Sequence, residues 1–230
     1  MVNLPKTTMG IRKILSKDLS TEAKIKAAAK KLFTQKGFAA TKTRDIAQEA
    51  GINLALLNYY FRSKDKLFEI VMRENVLLFL SGMLESMEHS EHLLLEQKLE
   101  ILIDRYIDML IANPDLPIFI LSISRTNGLE LEKSDDPLLN GMKQLRAFFF
   151  KEIMENIRAG KIQAIHPLHF MANMMSLIVF PFAASSLLKT RTGISDKEFE
   201  QLMLERKKLI PVWLKAMFTA PLSSPENKSS

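Results

Sequence analysis

Residues 43–67, TRDIAQEAGINLALLNYYFRSKDKL, leave the backbone few choices. Ile46, Ala47 and Ala50 share one face at helical spacing. Gly51 follows where a helix closes in the left-handed region, which glycine enters without strain. Thr43 is placed to cap the helix ahead of that glycine, and Asn53 to cap a second helix over 54–60. Ile52 anchors the turn between them. Two short helices joined by a three- or four-residue turn containing glycine make a helix-turn-helix.

The flanks sharpen that reading. Residues 21–35 form an amphipathic pattern, with Ile25, Ala28, Ala29, Leu32 and Phe33 on one face and Lys24, Lys26, Lys30 and Lys31 elsewhere. The second short helix carries Asn58, Tyr59 and Tyr60, a cluster of polar and aromatic groups unusual for a helix with a purely structural task. Ser63 is placed to cap a long helix opening Lys64-Asp65-Lys66-Leu67.

The strings KKLFTQKGFAATKTRDIAQEAGI, LNYYF and RSKDKLF, within 21–68, resemble the DNA-binding domain of the tetracycline-repressor (TetR) family of bacterial transcriptional regulators. The resemblance covers about the first third of the chain, and its glycine, aromatic pair and Ser-Lys helix start all keep register. Two positions depart from the commonest pattern: Asn53 stands where serine is usual and Asn58 where tyrosine is frequent. Asparagine keeps the capping chemistry, so these changes bear on which bases are read.

Charge agrees with a nucleic-acid partner. Of a net charge of +6, the first 64 residues hold thirteen Lys/Arg against four Asp/Glu, or +9, leaving −3 for the remainder. A basic head on a mildly acidic body is the footprint of a nucleic-acid binder with a separate sensing or assembly domain. The absence of cysteine excludes a disulfide framework, a zinc-thiolate site and a thiol nucleophile, and fits a reducing cytoplasm. No apolar run of signal-peptide type precedes Ser20, so a cytoplasmic location is expected.

Along the chain, Pro5, Gly10 and scattered basic residues predict a mobile basic arm over 1–19. The helix-turn-helix domain is set at 20–66 and a helical effector-binding and dimerisation domain at 67–220, with a disordered Ser/Pro-rich tail over 221–230. Further helices are expected from Ser63 into the mid-eighties, over 93–111, over 115–124 and over 137–158. Residues 125–136 read as a loop. Pro167 opens a helix to about Leu188, the most apolar stretch of the chain. Ser195 and Glu198 form a capping box for a last helix to about 219, which Pro211 should kink. There is no strand-like alternation and no internal repeat. The fold class is all-α: a three-helix DNA-binding domain followed by a larger helical ligand-binding and dimerisation domain.

The resemblance implies that Asn53, Leu54, Ala55, Asn58 and Tyr59 face DNA or sit at its edge. On chemistry, Asn58 suits a bidentate bond to adenine, and Leu54 and Ala55 suit thymine methyl groups. Thr43, Arg44, Tyr60 and Lys64 look like groups that position phosphates. Leu57 and Phe61 read instead as the small domain's core.

Elsewhere the chemistry is sparse. No nucleophile elbow, phosphate loop or dinucleotide fingerprint occurs, so no enzyme and no cofactor is expected. His89 with His92 and His166 with His169 have a spacing that can present two ligands on one helical face, but both pairs lie near helix ends, where histidine caps; no metal site is assigned. The resemblance implies an effector pocket in the body, for which Met109, Phe119, Met142, Phe149, Met174 and Met175 are the candidate lining. It also implies a homodimer whose last two helices pair with a partner's, with Met175, Val179, Phe182, Leu202, Leu209 and Trp213 as interface candidates. The expected partners are therefore a double-stranded DNA operator, a second copy and a small-molecule effector. A membrane anchor over 168–188 is the alternative. It conflicts with Asn173, Ser176 and Pro181 inside that stretch and leaves the helix-turn-helix unexplained.

Overall fold

The computed structural model describes the backbone of residues 6–126 and 135–219, and the side chains over 21–121 and 135–218. Most of the expected 125–136 loop, the 221–230 tail and the first five residues of the expected arm lie outside the described residues. Within them the chain is all-α, with ten helices and no strand. It divides into two compact units, Met1–Asn75 and Val76–Ser230. That division falls inside a helix rather than near 66.

The first unit holds α1 (Lys6–Ala40), α2 (Thr43–Glu49), α3 (Leu54–Phe61) and the start of α4 (Lys64–Glu88). Helix α1 extends through much of the stretch expected as an arm, because residues 11–36 contain neither proline nor glycine to stop it. It breaks at Gly37, whose φ of 73° and ψ of 168° are open to glycine and not to other residues. Its apolar stripe, Ile25, Ala28, Ala29, Leu32 and Phe33, is buried, as are Ile46 and Ala47 of α2, Leu57 and Phe61 of α3, and Leu67 and Val71 of α4 in the same unit. Phe33, Phe38 and Phe68 close one end, with ring centroids 4.6–6.0 Å apart.

The second unit holds the rest of α4 from Val76, then α5 (Leu95–Ala112), α6 (Leu116–Thr126), α7 (Pro137–Arg158), α8 (Pro167–Ala183), α9 (Ser185–Thr192) and α10 (Asp196–Thr219). Its helix starts follow the sequence signals. Asp136 accepts from Leu138 N–H at 3.0 Å with Pro137 behind it. The Ser195–Glu198 box closes both ways, at 3.2 and 2.8 Å. Helix α10 packs along α5 and α8. Lys207 on α10 bonds Asp104 and Asp108 of α5 at 2.9 and 2.6 Å. Phe170 of α8 stacks on Phe218 of α10 at 4.9 Å.

The single helix expected over 167–188 is two, bent by 65° at Ala184. Pro181 has no N–H to offer the Leu177 carbonyl one turn back. Arg206 of α10 supplies the missing donor, its Nη2 lying 2.6 Å from Leu177 O. The chain therefore keeps its helix through the proline and breaks three residues later. Pro211, by contrast, sits inside one continuous α10.

Among the described residues no single helix is long and apolar enough to cross a membrane. The apolar stretch is used internally instead: Phe170, Met174 and Ile178 are fully buried in their own unit. Phe182, expected at a subunit interface, is buried too, edge-on to Phe199 at 6.1 Å. It belongs to the core of its own chain.

Candidate nucleic-acid interface

The turn between α2 and α3 is built by the backbone. Gly51 N–H donates to Gln48 O at 3.1 Å and Ile52 N–H to Ala47 O at 3.0 Å, with Gly51 at φ +67°. This paired closure, two bonds around a left-handed glycine, is the Schellman ending. Asn53 then caps α3, its Oδ1 accepting from Leu56 N–H at 2.8 Å. Thr43, by contrast, does not cap α2. Lys42 takes the flanking position with no side-chain bond, and Thr43 is the first helical residue.

Burial then sets which way α3 faces. Leu57 and Phe61 are 0% and 4% exposed and fix the inner side. Ala55, Asn58, Tyr59 and Arg62 are all exposed and follow at i, i+3, i+4 and i+7, so they make one continuous outer strip. Tyr59 is 79% exposed, far more than structural packing would leave a tyrosine. Its ring stands edge-on to Tyr60 at 5.5 Å, which limits its rotamers, while Tyr60 itself is half-buried. Leu54 is half-buried and Asn53 exposed, with one amide oxygen already engaged in the cap. Arg44 is exposed near the start of α2. Sequence reasoning passed over two exposed cations of this unit, Lys42 just before α2 and Arg62 at the end of the strip, whose signal was their place immediately outside the two short helices.

Lys64 stands apart from the strip. Its Nζ donates to Phe38 O at 2.9 Å and to Thr41 O at 3.0 Å and lies 4.1 Å over the Phe38 ring. Beside it, the buried Thr41 hydroxyl bonds the Gly37 carbonyl at 2.7 Å. The lysine thus collects the carbonyls released where α1 breaks. These bonds tie α4 to the end of α1 and take two of the lysine's three N–H groups.

A second site lies within the body: a cavity of about 500 Å³ bounded by α4 to α8. Met109, Met142, Phe149, Met174 and Met175 line it. Phe119 does not; it is 7% exposed and packs in the core. Val179, expected at a subunit interface, also lines the cavity, as does Met175, which was expected at both places. Tyr106, which sequence reasoning missed, adds a hydroxyl to this apolar wall. Burial raises its pKa to about 12, so it stays protonated at neutral pH. Of the other interface candidates, Leu202, Leu209 and Trp213 are 37–44% exposed on one side of α10. Among the described residues no group of three His, Cys, Asp or Glu converges to hold a metal. His166 caps α8, its Nδ1 accepting from Leu168 N–H at 3.2 Å.

Residues 25–71 match the bacterial regulatory proteins, tetR family. The first unit of this chain matches the tetR family. A curated relative, described as the probable HTH-type transcriptional regulator YttP of Bacillus subtilis (strain 168), is 24% identical over 204 residues, covering 87% of this chain and 95% of the relative. Two solved structures share this chain's fold. One is the transcriptional regulator FadR from Bacillus subtilis in complex with stearoyl-CoA, with TM-score 0.55, 18% identity, and 85% and 98% of the two chains covered. The other is a TetR transcription regulator from Haloarcula marismortui, with TM-score 0.53, 20% identity, and 84% and 97% covered. The chain thus shares its fold with TetR-family transcriptional regulators, and its residues 25–71 carry that family's sequence pattern.

Proposed function

We propose that the chain is a homodimeric repressor that binds a palindromic operator and leaves it when a small apolar or amphipathic effector occupies the body. The observation that carries the DNA-binding step is the outward strip Ala55–Asn58–Tyr59 on α3, held outward by the burial of Leu57. Asn58 reads a base edge in the major groove, Ala55 and Tyr59 make apolar and stacking contacts, and Arg44 holds phosphate. The protein works in the cytoplasm, where its operator is.

The dimer face is proposed on α8 and α10, where Phe180, Leu209, Val212 and Trp213 are 60%, 42%, 63% and 37% exposed. An unpaired apolar strip of this kind suits a two-fold contact with the same strip of a second copy. Leu209→Glu is expected to shift the protein from dimer to monomer in sedimentation velocity without loss of helical signal. An unchanged sedimentation coefficient would move the interface elsewhere. Effector binding in the cavity favours a state with the reading units wrongly spaced, and α4, which runs from one unit into the other, is the proposed lever.

The deciding experiment is fluorescence anisotropy against duplexes from the DNA flanking the protein's own gene. Asn58→Ala should weaken binding to the preferred duplex by about 1–3 kcal/mol and leave random DNA little affected. Arg44→Ala should weaken both alike and lower the salt slope by about one. Equal loss on all sequences for Asn58→Ala would remove that residue from base reading.

A further inference from the structure

The cavity's wall holds one buried polar side chain with nothing to bond. On α5 the lining residues Leu102, Tyr106, Met109 and Leu110 fall at i, i+4, i+7 and i+8, a single helical face turned to the cavity. Tyr106 is the polar member of that face. Its ring is held edge-on to Phe79 of α4, with centroids 5.1 Å apart, and its hydroxyl has no hydrogen-bond partner among the described residues. Burial pushes its pKa up to about 12, so at neutral pH the phenol is an intact, uncharged O–H donor. Two other lining residues carry polar groups, Lys143 and Arg146 of α7, but both are exposed and Lys143 already has a partner of its own. Charges solvated in this way make no demand on what fills the interior. Every other described lining side chain is hydrocarbon or thioether.

An occupant that covers Tyr106 takes water away from its hydroxyl. A pure hydrocarbon returns nothing and leaves a buried donor unpaired. A carboxylate returns an acceptor, but it must leave its hydration for a wall with no buried counter-charge, which costs more than one hydrogen bond gives back. A neutral oxygen satisfies the donor and surrenders little hydration of its own. At about 30 Å³ for each water-sized group, the cavity of about 500 Å³ takes on the order of fifteen non-hydrogen atoms. Met109, Met142, Met174 and Met175 let the wall re-pack around the shape that enters.

We infer that the cavity selects an uncharged, largely apolar molecule of that size bearing a carbonyl-type oxygen, and that Tyr106 sets the selection by donating its hydroxyl to that oxygen. This rests on the effector reading above and narrows it to one ligand class recognised by one donor.

The test is a titration of the full chain with three probes of similar shape: benzophenone, which has a neutral carbonyl, diphenylmethane, which has none, and diphenylacetate, which is anionic. Binding is read by displacement of a fluorescent apolar dye. Benzophenone is expected to bind about ten- to a hundredfold more tightly than either of the others, the range set by leaving one buried donor unpaired. Irradiation of bound benzophenone should place its cross-links on the methionines of the cavity. In Tyr106→Phe, benzophenone should fall to the affinity of diphenylmethane while diphenylmethane keeps its own, which also shows that the cavity is still formed. Diphenylmethane or diphenylacetate binding as tightly as benzophenone, a variant that keeps the preference, cross-links outside the cavity, or no binding by any of the three overturns the proposal. Operator release is followed in parallel by anisotropy. If benzophenone binds selectively through Tyr106 and the DNA stays bound, the ligand class stands and the effector reading falls; if all three probes release the DNA alike, the reverse holds.

Discussion

Glu152→Ala is expected to lower the stability of the body by about 3–5 kcal/mol, although Glu152 lies in neither candidate site. Its Oε1 is 2.7 Å from the ammonium of Lys98, which joins α7 to α5. Lys98 is only 4% exposed, so without the carboxylate a full charge would remain out of water with no partner. The pair itself contributes far less than its rupture costs, because both ions lost hydration when they were buried. Replacing both partners with apolar residues of similar size, Lys98→Met/Glu152→Leu, should therefore recover most of the stability. Urea denaturation reads this directly: the single variant should show a lower midpoint at unchanged slope, and the double variant a midpoint near the original. A double variant as unstable as the single one would assign the effect to packing rather than charge.

Lys64→Ala is the second large effect, expected at about 2–3 kcal/mol for the loss of two charge-assisted bonds from a half-buried ammonium. The damage falls on the first unit, where Phe38 O and Thr41 O lose their donor and the Phe33–Phe38–Phe68 cluster loses the cation above it. Operator binding should weaken because less of the reading unit is folded. The salt slope measured on the folded fraction should match that of the original protein, whereas a phosphate-binding lysine would lower it by about one. Hydrogen exchange at the end of α1 separates the two: faster exchange with an unchanged slope supports the structural role, and the opposite pattern restores Lys64 to the DNA contacts.

What the sequence announced were features carried by neighbours along the chain. The Gly51 turn, the Asn53 cap, the Asp136-Pro137 start and the Ser195–Glu198 box each rest on bonds spanning two to five residues, and each forms as local rules require. What it concealed depends on distant partners. Lys64 finds its acceptors 23 and 26 positions back, so nothing adjacent marked it as structural. Phe182 looked available for a subunit contact until α10 brought Phe199 against it. The break after α8 was hidden for the same reason: proline signals a lost bond, but the donor from α10 that keeps the helix intact for three more residues is 29 positions away. Thr43 missed the capping position by one residue, within the ordinary uncertainty of a helix start. The cavity's methionines were visible as composition, yet which apolar residues leave a void and which fill it is decided only when five helices meet.

Arg206 and Lys207 are successive residues of α10, and they are anchored on different neighbours: one on the Leu177 carbonyl of α8, the other on Asp104 and Asp108 of α5. Successive helical residues point about 100° apart, so the two anchors act at right angles to the helix axis and nearly at right angles to each other. A turn of α10 about its axis, like a slide along it, carries both side chains away from their partners. The helix is keyed like a shaft with two slots. Its outward stripe of Leu202, Leu209 and Trp213 is therefore held at one azimuth from two sides, and whatever is seated on that stripe meets a helix braced against rolling.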